Sequence, residues 1–171
     1  MPQAISALLS ARWIVPVEPE GQVLEYHAIA VQDGRILAIL PRDEAKARFN
    51  AEACLDFATH VLIPGLVNTH THASMTLLRG LADDLPLMAW LQDHIWPTET
   101  RWVDPEFVRA GTRLAIAEML RGGTTCFNDM YFFPEATAAV ARECGIRACV
   151  SSGVTPLASR PRHRSTGSCA T

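Results

Sequence analysis

Residues 61–72 read Val61-Leu-Ile-Pro-Gly-Leu-Val-Asn-Thr-His-Thr-His72: two short β-prone runs flank Pro64-Gly65 and lead directly into His70-Thr71-His72. Side chains at i and i+2 of a strand project from one face, so a strand through this segment sets the two imidazoles side by side. Neutral imidazole is a good ligand for zinc and related divalent ions, and two on one face can reach a single ion. The same pattern also describes two partly exposed loop histidines. The strand-forming run ahead of the pair, and the small residues Asn68, Thr69 and Ala73 around it, weight the metal reading. In a parallel sheet the pair falls at the C-terminal strand end, where barrel active sites sit.

Downstream, Pro86 to Ile95 has helical spacing, with Leu87, Trp90, Leu91 and Ile95 near a common face. Asp104-Pro105-Glu106 is a helix start, with Asp as N-cap and Pro in the first turn. That helix runs to Leu120 and is stopped by Gly122-Gly123. Thr124 to Phe127 reads as a strand followed by Asn128-Asp129-Met130-Tyr131. A helix then opens at Pro134 and closes near Gly145, and a third strand begins at Ile146. This alternation predicts βαβ units and a parallel sheet. Upstream, residues 1–60 form a small β-rich module. Its His27–Gln32 and Arg35–Leu40 runs are joined by Asp33-Gly34, a strong hairpin signal. Asp43 to Phe49 reads as a short helix.

The 61–72 stretch resembles the first barrel strand of the amidohydrolase superfamily. Further motifs agree in order and spacing: Ala73-Ser-Met-Thr-Leu-Leu-Arg-Gly-Leu-Ala-Asp-Asp-Leu-Pro-Leu-Met88, Trp90-Leu91, Ile95-Trp96-Pro97-Thr98-Glu99 and Gly122-Gly-Thr-Thr-Cys-Phe-Asn-Asp-Met130. Together they resemble the 5-methylthioadenosine/S-adenosylhomocysteine deaminase group and its triazine-hydrolase relatives. The implied fold is α/β: the N-terminal portion of a metal-dependent (β/α)8 TIM-type barrel, preceded by a small β-sandwich module. The implied domains are residues 1–60, the β-rich module, and residues 61–153, the first βα units of the barrel.

The resemblance makes His70 and His72 the first two ligands of one divalent metal ion, zinc. It makes Glu99 the acid that contacts the ribose hydroxyls of a nucleoside; on spacing alone Glu99 reads as a solvated acid at a helix end. Asp129 stands either as a partner of a metal-bound histidine or as a strand-end turn residue. Trp90 and Trp96 stand as pocket walls or as packing residues. Asp83 and Asp84 fall in the segment that the family folds over its site, although an ordinary acidic turn explains them as well. His60 and His94 read as surface or packing residues. The implied reaction is metal-assisted hydrolytic deamination of an adenosine-type substrate, with an s-triazine or guanine-type substrate as the alternative. The acid/base residues and remaining metal ligands of the family have no counterpart in this sequence. His163, in its Arg-Pro-Arg-His-Arg setting, does not resemble the family's later strand.

Composition fits this reading. With 15 basic and 18 acidic residues the formal net charge is −3, which gives no footprint for nucleic acid. The apolar runs are short and broken, so no membrane span is expected. The N-terminus lacks the pattern of a secretory signal, and the five cysteines show no CxxC pairing, so a cytoplasmic, disulfide-free protein is expected. The expected partner is a small molecule, a modified nucleoside or N-heterocycle, and full-length relatives are expected to form homo-oligomers. Length is the outlier, since 171 residues fall short of the roughly 250 typical of a closed barrel. Residues 154–171 lose both periodicity and acidic residues, which suggests a disordered or frame-shifted tail. As an isolated chain, a non-catalytic fragment is expected.

Overall fold

The computed structural model describes residues 1–152, so the 154–171 tail and His163 lie outside the described residues. The chain divides into two compact units, Met1–Pro64 and the part from Gly65 onward.

The first unit is built on one long strand, β1 (Gln3–Ile14). Strands β2 (Leu24–Glu25) and β3 (His27–Gln32) pair antiparallel with it, and β5 (Phe49–Leu62) pairs parallel. β4 (Arg35–Pro41) closes the hairpin with β3, and Asp33 and Gly34 take the left-handed conformations, φ 52° and 71°, that the tight turn needs. The described residues of this unit form a single five-stranded sheet. Helix α1 (Arg42–Arg48) supplies the second layer: its Ala45 packs with Ile5, Leu8, Ala28, Ala30, Leu40 and Phe49. β5 continues past residue 60, pairing Val61 and Leu62 with Trp13 and Ile14. The division therefore falls at Pro64/Gly65 and not at 60/61.

The second unit carries three parallel strands in the order β6 (Leu66–Thr71), β7 (Thr124–Tyr131) and β8 (Arg147–Ser152). Between β6 and β7 the chain passes through a 3-10 turn (Ala73–Leu78), α2 (Leu87–Ala89), a π-helical segment (Trp90–Ile95), α3 (Trp96–Trp102) and α4 (Pro105–Arg121). Helix α5 (Pro134–Glu143) joins β7 to β8. Asp104 caps α4 as its sequence predicts, its Oδ1 accepting from the Phe107 N–H at 2.8 Å. One face of the sheet is closed by α4 and α5 around Ile116, Phe127, Val140, Ala141 and Ile146. Alternate residues of β7 separate cleanly: Phe127, Asp129 and Tyr131 are buried, while Asn128 and Met130 are exposed. That alternation follows from the strand period of two.

Candidate active site

His70 lies in β6 and His72 one residue beyond its end. Their Nε2 atoms converge to 3.4 Å, and the rings meet nearly edge to face. The Nδ1–H of His72 donates to the Met130 carbonyl at 2.6 Å. Since a carbonyl can only accept, this bond fixes the proton on Nδ1 and leaves the Nε2 lone pair directed toward His70. Two zinc–nitrogen bonds of about 2.0–2.1 Å at a tetrahedral angle would set their nitrogens about 3.3–3.4 Å apart. The spacing and tautomer therefore fit two ligands of one such ion. Among the described residues no group of three or more His, Cys, Asp or Glu side chains gathers into a metal site.

Asp129 is buried at 1% exposure and stands opposite Thr71 in the β6–β7 register. Its Oδ1 accepts from the Thr71 hydroxyl at 3.0 Å and from the Ala73 N–H at 2.7 Å, the two neighbours of His72. Its Oδ2 is buried without a hydrogen-bond partner. The carboxylate thus holds the residues on both sides of His72, Thr71 by its hydroxyl and Ala73 by its backbone N–H. The stretch after His72 is also held from the other side. Gly111 of α4 lies so close to the Ser74 backbone that a Cβ there would overlap it.

Glu99 reaches the site through an irregular helix. Pro97 has no N–H to give the Asp93 carbonyl, and its ring would crowd that oxygen. The chain takes a π-helical turn over Trp90–Ile95 just before it, a feature frequent at functional sites. Leu91, Ile95 and Glu99, four residues apart, then line one cavity of about 320 Å³ together with His72, Trp90, Trp96, Met130 and Tyr131. Glu99 is 6% exposed, unlike the solvated acid its spacing alone suggests. Its Oε1 accepts from the Tyr131 hydroxyl at 2.7 Å. Burial raises the Glu99 pKa, opposed by the Tyr131 hydrogen bond and, least, by the neighbouring His72 imidazole. Burial likewise pushes the Tyr131 phenol well above its ordinary range, reinforced by Glu99 and then by Asp129. Tyr131 thus stays a donor.

The structure brings His70 against His72, and His72, Glu99 and Trp96 to one cavity, with Asp129 on the adjacent strand beside Thr71. Asp83, Asp84 and His94 are exposed and do not line the Glu99 cavity, and His60, in the first unit, is exposed. Tyr131 was missed in the sequence. Its one available signal was strand alternation, which sets it on the same face as Asp129.

The amidohydrolase family model matches residues 61–170. A 5-methylthioadenosine/S-adenosylhomocysteine deaminase of Saccharophagus degradans is 54% identical over 144 residues, 84% of this chain and 32% of its own length. A zinc-bound adenosine deaminase from Xanthomonas campestris superposes with a TM-score of 0.85 at 55% identity, over 86% of this chain and 34% of that one. An atrazine chlorohydrolase of Arthrobacter aurescens, complexed with zinc, shares the fold at 21% identity and a TM-score of 0.76, over 85% of this chain and 35% of that one. The chain thus spans about a third of the length of these relatives. With strand order, histidine spacing and family match in agreement over the same residues, the chain belongs to the amidohydrolase family.

Proposed function

We propose that this chain carries the metal-binding and ribose-binding portion of an amidohydrolase that deaminates an adenosine-type nucleoside, of the 5-methylthioadenosine/S-adenosylhomocysteine class. The observation that supports this most directly is the sharing of one apolar cavity by His72 and the buried carboxylate of Glu99. A carboxylate can accept hydrogen bonds from two neighbouring hydroxyls, which suits a ribose better than a bare heterocycle. Trp90 and Trp96 offer apolar walls to a flat ring.

His70 and His72 would hold one divalent ion through Nε2, zinc being the ion in the Xanthomonas adenosine deaminase and the Arthrobacter chlorohydrolase. When bound, such an ion lowers the pKa of its coordinated water and supplies hydroxide near neutral pH. The Met130 carbonyl keeps His72 in the binding tautomer, and Asp129 holds the backbone around it. Catalytic zinc usually has three protein ligands plus water, so two histidines support binding without turnover. The four described cysteines are free, in keeping with a reducing, cytoplasmic setting.

The test measures zinc binding and ammonia release from adenosine on the same purified chain. Stoichiometric zinc without ammonia is expected. Ammonia release would make the chain a complete enzyme, and absence of zinc binding would remove the metal reading.

A further inference from the structure

Tyr131 and Glu99 come from different elements, β7 and α3, and meet at 2.7 Å inside the cavity that His72 also lines. Both are 6% exposed. Tyr131 is held by Val108 and Ala136, so its hydroxyl has a fixed position. Glu99 has no such restraint of its own, because the last torsion of a glutamate is broad. Among the described residues, Tyr131 is the side chain that donates to this carboxylate, and it does so at Oε1. The phenol therefore ties down Oε1, and among the described residues no hydrogen bond to Oε2 is made.

We propose that Tyr131 is the positioning residue for Glu99: by tying Oε1 it orients the carboxylate so that the site selects a ligand with two adjacent hydroxyls. This rests on the reading of Glu99 as the ribose-binding acid. The Tyr131 ring lines the cavity, while its hydroxyl is committed to Glu99. It acts through Glu99, and its loss should blunt diol selection while leaving affinity for the base unchanged.

The test follows tryptophan fluorescence of the purified chain, Trp90 and Trp96 serving as reporters, during titration with adenosine and with 2′,3′-dideoxyadenosine. The wild-type chain should prefer adenosine, and E99Q should lose that preference. Y131F should lower it about tenfold, the scale of one hydrogen bond to a charged group, without weakening dideoxyadenosine binding. In the E99Q background Y131F should change nothing further. A Y131F chain with undiminished preference, beside an E99Q chain that has lost it, overturns the role of Tyr131 and leaves that of Glu99 intact. Undiminished preference in E99Q, or none in the wild type, removes Glu99 from ribose binding and the Tyr131 proposal with it. Near-UV circular dichroism checks that Y131F is folded. If it is not, 3-fluorotyrosine at position 131 in a Y26F chain keeps the shape while strengthening the donor. The adenosine preference should then rise, and an unchanged preference overturns the proposal.

Discussion

The Nδ1–H of His72 is bonded to the carbonyl of Met130 at 2.6 Å, so the end of β7 sets the tautomer of a histidine that follows β6. The two residues are far apart in sequence but adjacent across a parallel strand pair. The consequence is that Nε2 of His72, 3.4 Å from Nε2 of His70, is the nitrogen left to bind an ion.

The first prediction concerns that pair. H70A and H72A should each lower zinc affinity by more than about 100-fold, beyond what loss of an outer partner costs. Equilibrium dialysis against zinc measures it. Near-wild-type binding in either variant would show that the two imidazoles do not share an ion.

Asp129 should matter to both stability and metal affinity. D129A removes an acceptor from the Thr71 hydroxyl and the Ala73 N–H, and should destabilise the second unit by about 2–3 kcal/mol. Zinc affinity should fall about tenfold as the segment around His72 loosens. D129N, which keeps Oδ1, should retain most of both. Urea unfolding and dialysis on the same samples give the comparison, and equal behaviour of the two variants would count against the hydrogen-bond argument.

Glu99 makes a pH-dependent contribution whose sign follows from its burial. Its pKa is raised in the folded chain above the ordinary value of 4.5. Between those two values the folded state binds more protons than the unfolded one, so stability falls as pH rises through the window. E99Q should lack this component. The difference in thermal midpoint between wild type and E99Q should therefore shift in favour of E99Q as pH rises from 4 toward neutrality, and a difference independent of pH would refute the assignment.

Gly111 marks the close approach of α4 to the turn after His72. G111A must push a methyl group into the Ser74 backbone, which cannot yield as a flexible side chain would. A loss of about 1–3 kcal/mol is expected, the usual cost of overpacking. A neutral or stabilising G111A, as helix propensity alone would give, would mean that α4 is not seated as described.

What the sequence determined by itself was whatever short-range chemistry controls. The Asp33-Gly34 hairpin, the Asp104 cap and the strand running into His70-Thr71-His72 each follow from backbone preferences or side-chain periods within a few residues. The strand–helix alternation from residue 61 likewise determined a parallel sheet, and the spaced motifs pointed to the family. Tertiary structure decided whatever depends on partners distant along the chain. Asp129 reads equally well as a turn residue until β6 is laid beside β7 and its carboxylate closes on Thr71 and Ala73. Glu99 reads as solvated until the π-helical turn before Pro97 carries it under cover. Strand alternation buries Tyr131 but says nothing of its role, which exists once its hydroxyl meets an acid 32 positions earlier. Burial and hydrogen bonding are properties of the assembled layers, and no window of sequence contains both sides of such a contact.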